Sequence, residues 1–148
     1  MVEKVTHRIL GIDPGYAITG YGIIEKTGSK IKAIEYGAVE TSSKADFTVR
    51  LLAINDKVRY LIEQFKPDCM VIEQLFMGQN HTTAIGTAQA RGVEILAAAE
   101  ANVQVYEYTP MQIKSTIAGY GHAQKYQVQE MVKMILNMLC PDNLERLT

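Results

Sequence analysis

Two hydrophobic runs in this chain each end in a carboxylate: Arg8-Ile-Leu-Gly-Ile-Asp-Pro-Gly15 carries Asp13, and Cys69-Met-Val-Ile-Glu-Gln-Leu-Phe76 carries Glu73. Short apolar runs of this kind, bounded by turn residues, read as strands packed in a core. An ionised carboxylate in that position must be paired, hydrated or bound to a cation, because leaving it bare costs several kcal/mol or forces it to protonate. Any fold for this chain has to accommodate both charges. Two of them at the ends of neighbouring strands suggest a divalent-metal site.

The rest of the chain supplies a frame for those strands. From Arg8 to Tyr36 three strands follow one another, with apolar positions Ile9, Leu10 and Ile12, then Tyr21, Ile23 and Ile24, then Ile31, Ala33 and Ile34. Phe47, Leu51, Ile54, Val58, Leu61, Ile62 and Phe65 recur at helical intervals, and Lys66-Pro67 stops that helix before the strand ending in Glu73. A helix over Thr82 to Ala101 lines one face with Ala84, Ala88, Gly92 and Ala99 beside Ile95, which predicts close packing on a neighbouring backbone. Val103 to Tyr108 is a further strand, and Thr109-Pro-Met-Gln112 is a capping-box start for a short helix. Val128, Met131, Val132, Ile135, Leu136 and Leu139 then mark an amphipathic helix ending at Cys140-Pro141. The order β-β-β-α-β-α-β-α-α predicts an α/β fold, a mixed sheet with helices on its faces.

With 148 residues, 47% of them hydrophobic, the chain suits one domain with a real core, spanning 1–148. It shows no secretory leader and no long apolar stretch, so a soluble, cytoplasmic protein without membrane contact is expected. Cys69 and Cys140 have the spacing of neither a metal knuckle nor a disulfide framework. His7, His81 and His122 share no ligand spacing and are assigned no role. A net charge of −1 does not announce a nucleic-acid binder, so any DNA binding must come from local clustering of charge.

In Gly11-Ile-Asp-Pro-Gly15 the chain bends just after the carboxylate, and Gly15 lets the backbone approach a ligand without a Cβ clash. Asp-Pro-Gly is also a common turn, which leaves ordinary turn chemistry open for Asp13 alone. Glu73 has no such alternative on a central strand, where the competing account is a satisfied core ion pair. Hard oxygen ligands suit Mg²⁺ or Mn²⁺, and two such ions about 4 Å apart activate water and stabilise a leaving oxygen in phosphodiester hydrolysis. Three or four carboxylates usually build that kind of site.

Gly11-Ile-Asp-Pro-Gly15, Val71-Ile-Glu-Gln-Leu-Phe-Met77, Gln89-Ala-Arg-Gly92, Gln112-Ile-Lys114, Gly119-Tyr-Gly121 and Lys125-Tyr-Gln-Val-Gln129 together resemble the RuvC family of Holliday-junction resolvases. The resemblance runs from Ile9 to about Leu136. It implies a ribonuclease H-like sheet, a β-meander followed by parallel strands, with helices on both faces. It further implies a homodimeric endonuclease that nicks four-way DNA junctions with Mg²⁺ or Mn²⁺, two ions per site, alongside branch-migration proteins. Asp13 and Glu73 become the first two metal-ligating acids by that resemblance. The same resemblance implies that Phe76 is the aromatic residue that inserts or stacks at the junction centre, and that Lys114 and Lys125 lie near the scissile phosphate. Arg91 and Lys133 are weaker candidates for the same basic surface.

The resemblance departs at the end of the chain. The family closes its site with an acidic pair three residues apart on an alanine-rich helix, whereas this sequence reads Cys140-Pro-Asp-Asn-Leu-Glu-Arg-Leu-Thr148. Aligning Pro141-Asp142 directly puts Asn143 and Arg146 at the two acidic positions, and shifting by one residue makes Asp142 and Glu145 the pair. Asp142 is accordingly the candidate third ligand on an incomplete C-terminal helix, in a copy that reads as truncated or diverged. A rival expectation is a catalytically impaired relative that binds junctions through Phe76, Lys114 and Lys125 without cutting them. An ATPase core using Gly11-Ile-Asp-Pro-Gly15 as a phosphate turn is disfavoured, since 148 residues supply only one of its two lobes.

Overall fold

The computed structural model describes residues 3–75 and 81–137. Strands β1 (Thr6–Asp13), β2 (Ile18–Thr27) and β3 (Lys30–Glu40) form the meander. Helix α1 (Phe47–Phe65) leads to β4 (Cys69–Glu73), α2 (His81–Glu100) leads to β5 (Gln104–Tyr108), and α3 (Pro110–Ala118) and α4 (Lys125–Leu136) follow. The strands form one sheet in the order β3-β2-β1-β4-β5, antiparallel through the meander and parallel from β1 to β4 to β5.

Alternation sorts the residues of each strand between the two faces of the sheet. Leu10, Ile12, Tyr21, Ile23, Met70 and Ile72 are buried against Val58, Leu61 and Ile62 of α1 and Ala97 and Ala98 of α2. Each large aliphatic side chain buried there contributes about 1.5–3 kcal/mol. A bulge in the β2–β3 pairing near Ile23 and Ile24 leaves Ile34 between the paired residues Ala33 and Glu35, and Ile34 packs on this core. Helix α1 buries Arg50, Ile54, Val58, Leu61 and Ile62 at spacings of three and four, while Phe47, expected on that face, is exposed. Lys66 closes α1 in the left-handed conformation, its N–H donating to the Ile62 carbonyl.

The face of α2 that packs inward differs from the one expected. Ala84, Gly86, Ala90, Glu94, Ala97 and Ala98 are buried, whereas Ala88, Gly92 and Ala99 are exposed. In a helix so rich in alanine and glycine, small residues occur on every side and do not mark the buried one. Helix α3 starts as expected: Thr109 Oγ1 accepts from the Gln112 N–H at 3.1 Å, and Gln112 Oε1 accepts from the Thr109 N–H at 2.9 Å. Helix α4 ends at Leu136, short of the expected Cys140-Pro141 boundary, with Asn137 in the left-handed conformation and its N–H on the Lys133 and Met134 carbonyls. No helix among the described residues is long and apolar enough to cross a membrane.

Candidate active site

The start of β4 is fastened to β1. The Arg8 N–H donates to Asp68 Oδ2 at 2.7 Å and the Asp68 N–H donates to the Arg8 carbonyl at 2.8 Å, while Arg8 Nη1 donates to the Phe65 carbonyl at 2.6 Å. From there the parallel register runs Ile9 to Cys69, Leu10 to Met70, Gly11 to Val71 and Ile12 to Ile72. One residue further, Asp13 and Glu73 come to stand side by side at the carboxyl ends of the two strands. Alternation turns both away from the α1–α2 core that holds Ile12 and Ile72, toward the face of α3 and α4.

Asp13 is open to solvent on one side and Glu73 is half-buried. Burial is the first cause that lifts Glu73 to about 7, followed by the negative charge of Asp13 and a hydrogen bond between the two carboxyls, with the Lys114 ammonium opposing. Asp13 is also raised above its ordinary value by burial, against the hydrogen bond from Glu73 and the charge of Lys125. Both directions fit a Glu73 carboxyl that keeps its proton and donates it to Asp13. Two acids placed together in this way hold more negative charge than the surrounding protein neutralises.

Lys114 on α3 and Lys125, the first residue of α4, thus reach the electrostatic neighbourhood of the acids from the helical side. Among the described residues neither lysine makes a salt bridge. Arg91 does not belong to a free basic surface. Its Nε donates to the Glu73 backbone carbonyl at 3.2 Å and its guanidinium pairs with Glu107, so it braces the end of β4. Lys133 pairs with Glu130 one turn earlier on α4 at 2.9 Å. Phe76, Asp142 and Glu145 lie outside the described residues.

Two residues near the site had no place in the sequence reading. Glu94 of α2 is 0% exposed, and its Oε1 lies 2.9 Å from Thr19 Oγ1, which in turn contacts the backbone of Gly15 in the turn after Asp13. Helical spacing offered a signal, since Gly86, Ala90, Glu94 and Ala97 fall on one face. Tyr16 in the same turn has its ring under the Arg50 guanidinium at 3.7 Å and against Gly86 of α2.

The donor set fits a hard divalent cation. Asp13 and Glu73 offer carboxylate oxygens from two rigid strand ends, and a cation between them would replace the shared proton and relieve the repulsion that raises Glu73. Among the described residues no cluster of three or more Asp, Glu, His or Cys is present. Lys114 and Lys125 add positive charge beside the acids, so the arrangement suits an anionic substrate that bridges cation and ammonium groups, as a phosphodiester does.

Known proteins share both the sequence and the fold of this chain. The family model for the crossover junction endodeoxyribonuclease RuvC matches residues 9–143. The chain is 51% identical over 130 residues to the crossover junction endodeoxyribonuclease RuvC of Alkaliphilus metalliredigens, covering 88% of this chain and 79% of that one. It is 49% identical over 131 residues to the protein of that name from Brevibacillus brevis, with coverage of 88% and 79%. Among solved structures, Thermus thermophilus RuvC in complex with a Holliday junction substrate superposes with a TM-score of 0.85 at 33% identity, covering 95% of this chain and 88% of that one. A yeast mitochondrial Holliday junction resolvase shares the fold, with a TM-score of 0.65 at 15% identity over 88% of this chain and 61% of that one. The mixed sheet and the match across nearly the whole length agree, and the chain belongs to the RuvC family of crossover junction endodeoxyribonucleases.

Proposed function

We propose that this protein is an endodeoxyribonuclease of recombination and repair that resolves four-way DNA junctions by paired, metal-dependent nicking. The observation that carries the proposal is the parallel register of β1 and β4, which aligns Asp13 with Glu73 in a chain about half identical to its RuvC relatives. The structural relative that binds a Holliday junction substrate supports junction DNA as the ligand.

In this account Asp13 and Glu73 hold the metal, with Asp142 as the third ligand. When bound, Mg²⁺ or Mn²⁺, as two ions per site, supplies an activated water and stabilisation of the leaving oxygen. Lys114 and Lys125 bind phosphate oxygens beside the acids and orient the scissile bond. Glu73 gives up the shared proton as the site loads, so both acids act as carboxylates. Phe76, just beyond the end of β4, stacks on a base left unpaired at the junction centre.

Paired nicks need two sites related by a two-fold axis, so the working unit is a homodimer acting with branch-migration proteins in the cytoplasm. Ile85, Ala88, Gly92, Leu96 and Ala99 are exposed and recur at helical spacing along the outer side of α2, which supports that helix as the dimer contact. Gel retardation on a labelled four-way junction and on a linear duplex of equal length, with Mg²⁺ and with EDTA, tests the function. Junction-selective retardation with nicks in Mg²⁺ alone supports a resolvase, and retardation without nicks identifies the binding-only relative. Equal binding to both DNAs removes the junction specificity.

A further inference from the structure

The turn that follows Asp13 is unusually tight. A Cβ on Gly15 would lie 1.9 Å from the Ile18 carbonyl oxygen, so the chain doubles back on itself within five residues of the metal-site acid. Thr19 closes this turn from inside. The Gly15 N–H donates to Thr19 Oγ1 at 3.3 Å, and Thr19 Oγ1 reaches the Gly15 carbonyl at 2.6 Å and Glu94 Oε1 at 2.9 Å.

A hydroxyl has one proton, and two acceptors compete for this one. The Gly15 carbonyl brings no proton of its own and makes the shorter contact, so the threonine proton goes to it. The contact between Thr19 and Glu94 then needs a proton on the glutamate. Glu94 Oε2 is buried without a hydrogen-bond partner among the described residues, which an ionised carboxylate would tolerate poorly and a neutral carboxyl accepts at lower cost. Burial first, with the charge of Asp13 adding, lifts Glu94 to about 8 even against a hydrogen bond from Thr19 and the charge of Arg91, and with the glutamate as donor that bond no longer opposes the rise.

We propose that Glu94 is a positioning residue for Asp13, a neutral carboxyl that donates to Thr19 and so locks the Gly15 turn that aims the Asp13 carboxylate at the metal. Glu94 lies on the core side of the sheet with Ile12, whereas Asp13 faces the opposite side, so Glu94 acts through the turn rather than as a ligand. The idea rests on the resolvase function proposed above and names a determinant of its metal affinity outside the Asp13–Glu73 pair.

Glu94→Gln keeps a neutral donor of the same length, and Glu94→Met keeps the volume without one. The Gln variant is expected to match the wild type in Mn²⁺ affinity followed by electron paramagnetic resonance, in Mg²⁺-dependent nicking, and in thermal midpoint near pH 4, where wild-type Glu94 is neutral folded or unfolded. The Met variant is expected to keep that midpoint and its junction binding in EDTA, yet to lose about tenfold or more in Mn²⁺ affinity and in nicking rate. Thr19→Val should reproduce the Met result, and the double variant should be no worse than either single one. A Met variant that binds Mn²⁺ and nicks as well as the wild type overturns the proposal. So does a Gln variant as impaired as Met, because negative charge would then be what matters. If the wild type binds Mn²⁺ but does not nick, the resolvase function fails while the Mn²⁺ comparison still decides the role of Glu94.

Discussion

Asp13 and Glu73 stand next to each other at the carboxyl ends of adjacent parallel strands, one residue beyond the Ile12–Ile72 pair, where burial and the charge of Asp13 lift Glu73 to about 7. That adjacency depends on register alone. A slip of one residue between β1 and β4 would send one acid into the core face and leave no site. The Arg8–Asp68 backbone and side-chain bonds, five residues upstream of each acid, prevent that slip.

The proton relationship makes metal-free stability depend on pH. Glu73 lies at about 7 and Glu94 at about 8 in the folded chain, against an ordinary 4.5. Below the ordinary value both forms are protonated folded or unfolded, and the stabilisation is fully present. As pH rises the unfolded chain releases these protons first, so stability is lost until the folded groups have titrated as well. The thermal midpoint in EDTA should fall between about pH 5 and about pH 8, and Mg²⁺ should restore more of it at the upper end. A midpoint that is flat or rises over that range contradicts the shared proton.

Removing either lysine should weaken junction binding by charge. Lys114→Ala and Lys125→Ala should each make the dependence of log affinity on log salt shallower by about 0.9, the value of one phosphate contact. Lys114→Ala should also raise Glu73 further, because that ammonium opposes its upward shift. A salt titration by fluorescence anisotropy reads the first effect, and an unchanged slope removes that lysine from the phosphate contacts.

Gly15→Ala should fail in the fold before it fails in catalysis. The added methyl meets a backbone oxygen at 1.9 Å, and backbone does not yield as a side chain does. A loss of about 2 kcal/mol or more in urea unfolding is expected. By contrast, Gly92→Ala meets nothing within 4 Å and should gain up to about 1 kcal/mol from helix propensity. Equal effects of the two substitutions would contradict the turn geometry.

Much of this was legible in the sequence because each signal was local. Asp13 and Glu73 end apolar runs, Lys66-Pro67 stops a helix, and Thr109 with Gln112 makes a cap within four residues. Glu94 was hard to read, since of the two acids in a twenty-residue helix, Glu94 and Glu100, neither is marked as buried until the inward face is known. That face was misassigned because small side chains surround α2 on all sides. Arg91 looked available for phosphate, but its partners, the Glu73 carbonyl and Glu107, lie on two other strands and are reached only through the fold.

The outer stripe of α2 can be separated from the fold by charge. Leu96 is 56% exposed, so Leu96→Glu should leave the unfolding free energy of the single chain within about 0.5 kcal/mol of the wild type while sedimentation shifts from dimer to monomer. Paired nicking should then become single, uncoordinated nicking. A variant that still sediments as a dimer assigns the contact to another surface.

Nick mapping on all strands of a labelled four-way junction, for the wild type in Mg²⁺, the wild type in EDTA, and Asp13→Asn in Mg²⁺, decides whether Asp13 and Glu73 form the cutting site. Symmetric paired nicks are expected from the wild type in Mg²⁺ alone, with Asp13→Asn slower by about a thousandfold yet still retarding the junction. Nicking by the wild type in EDTA, or by Asp13→Asn at the wild-type rate, would contradict a metal site built on the Asp13–Glu73 pair.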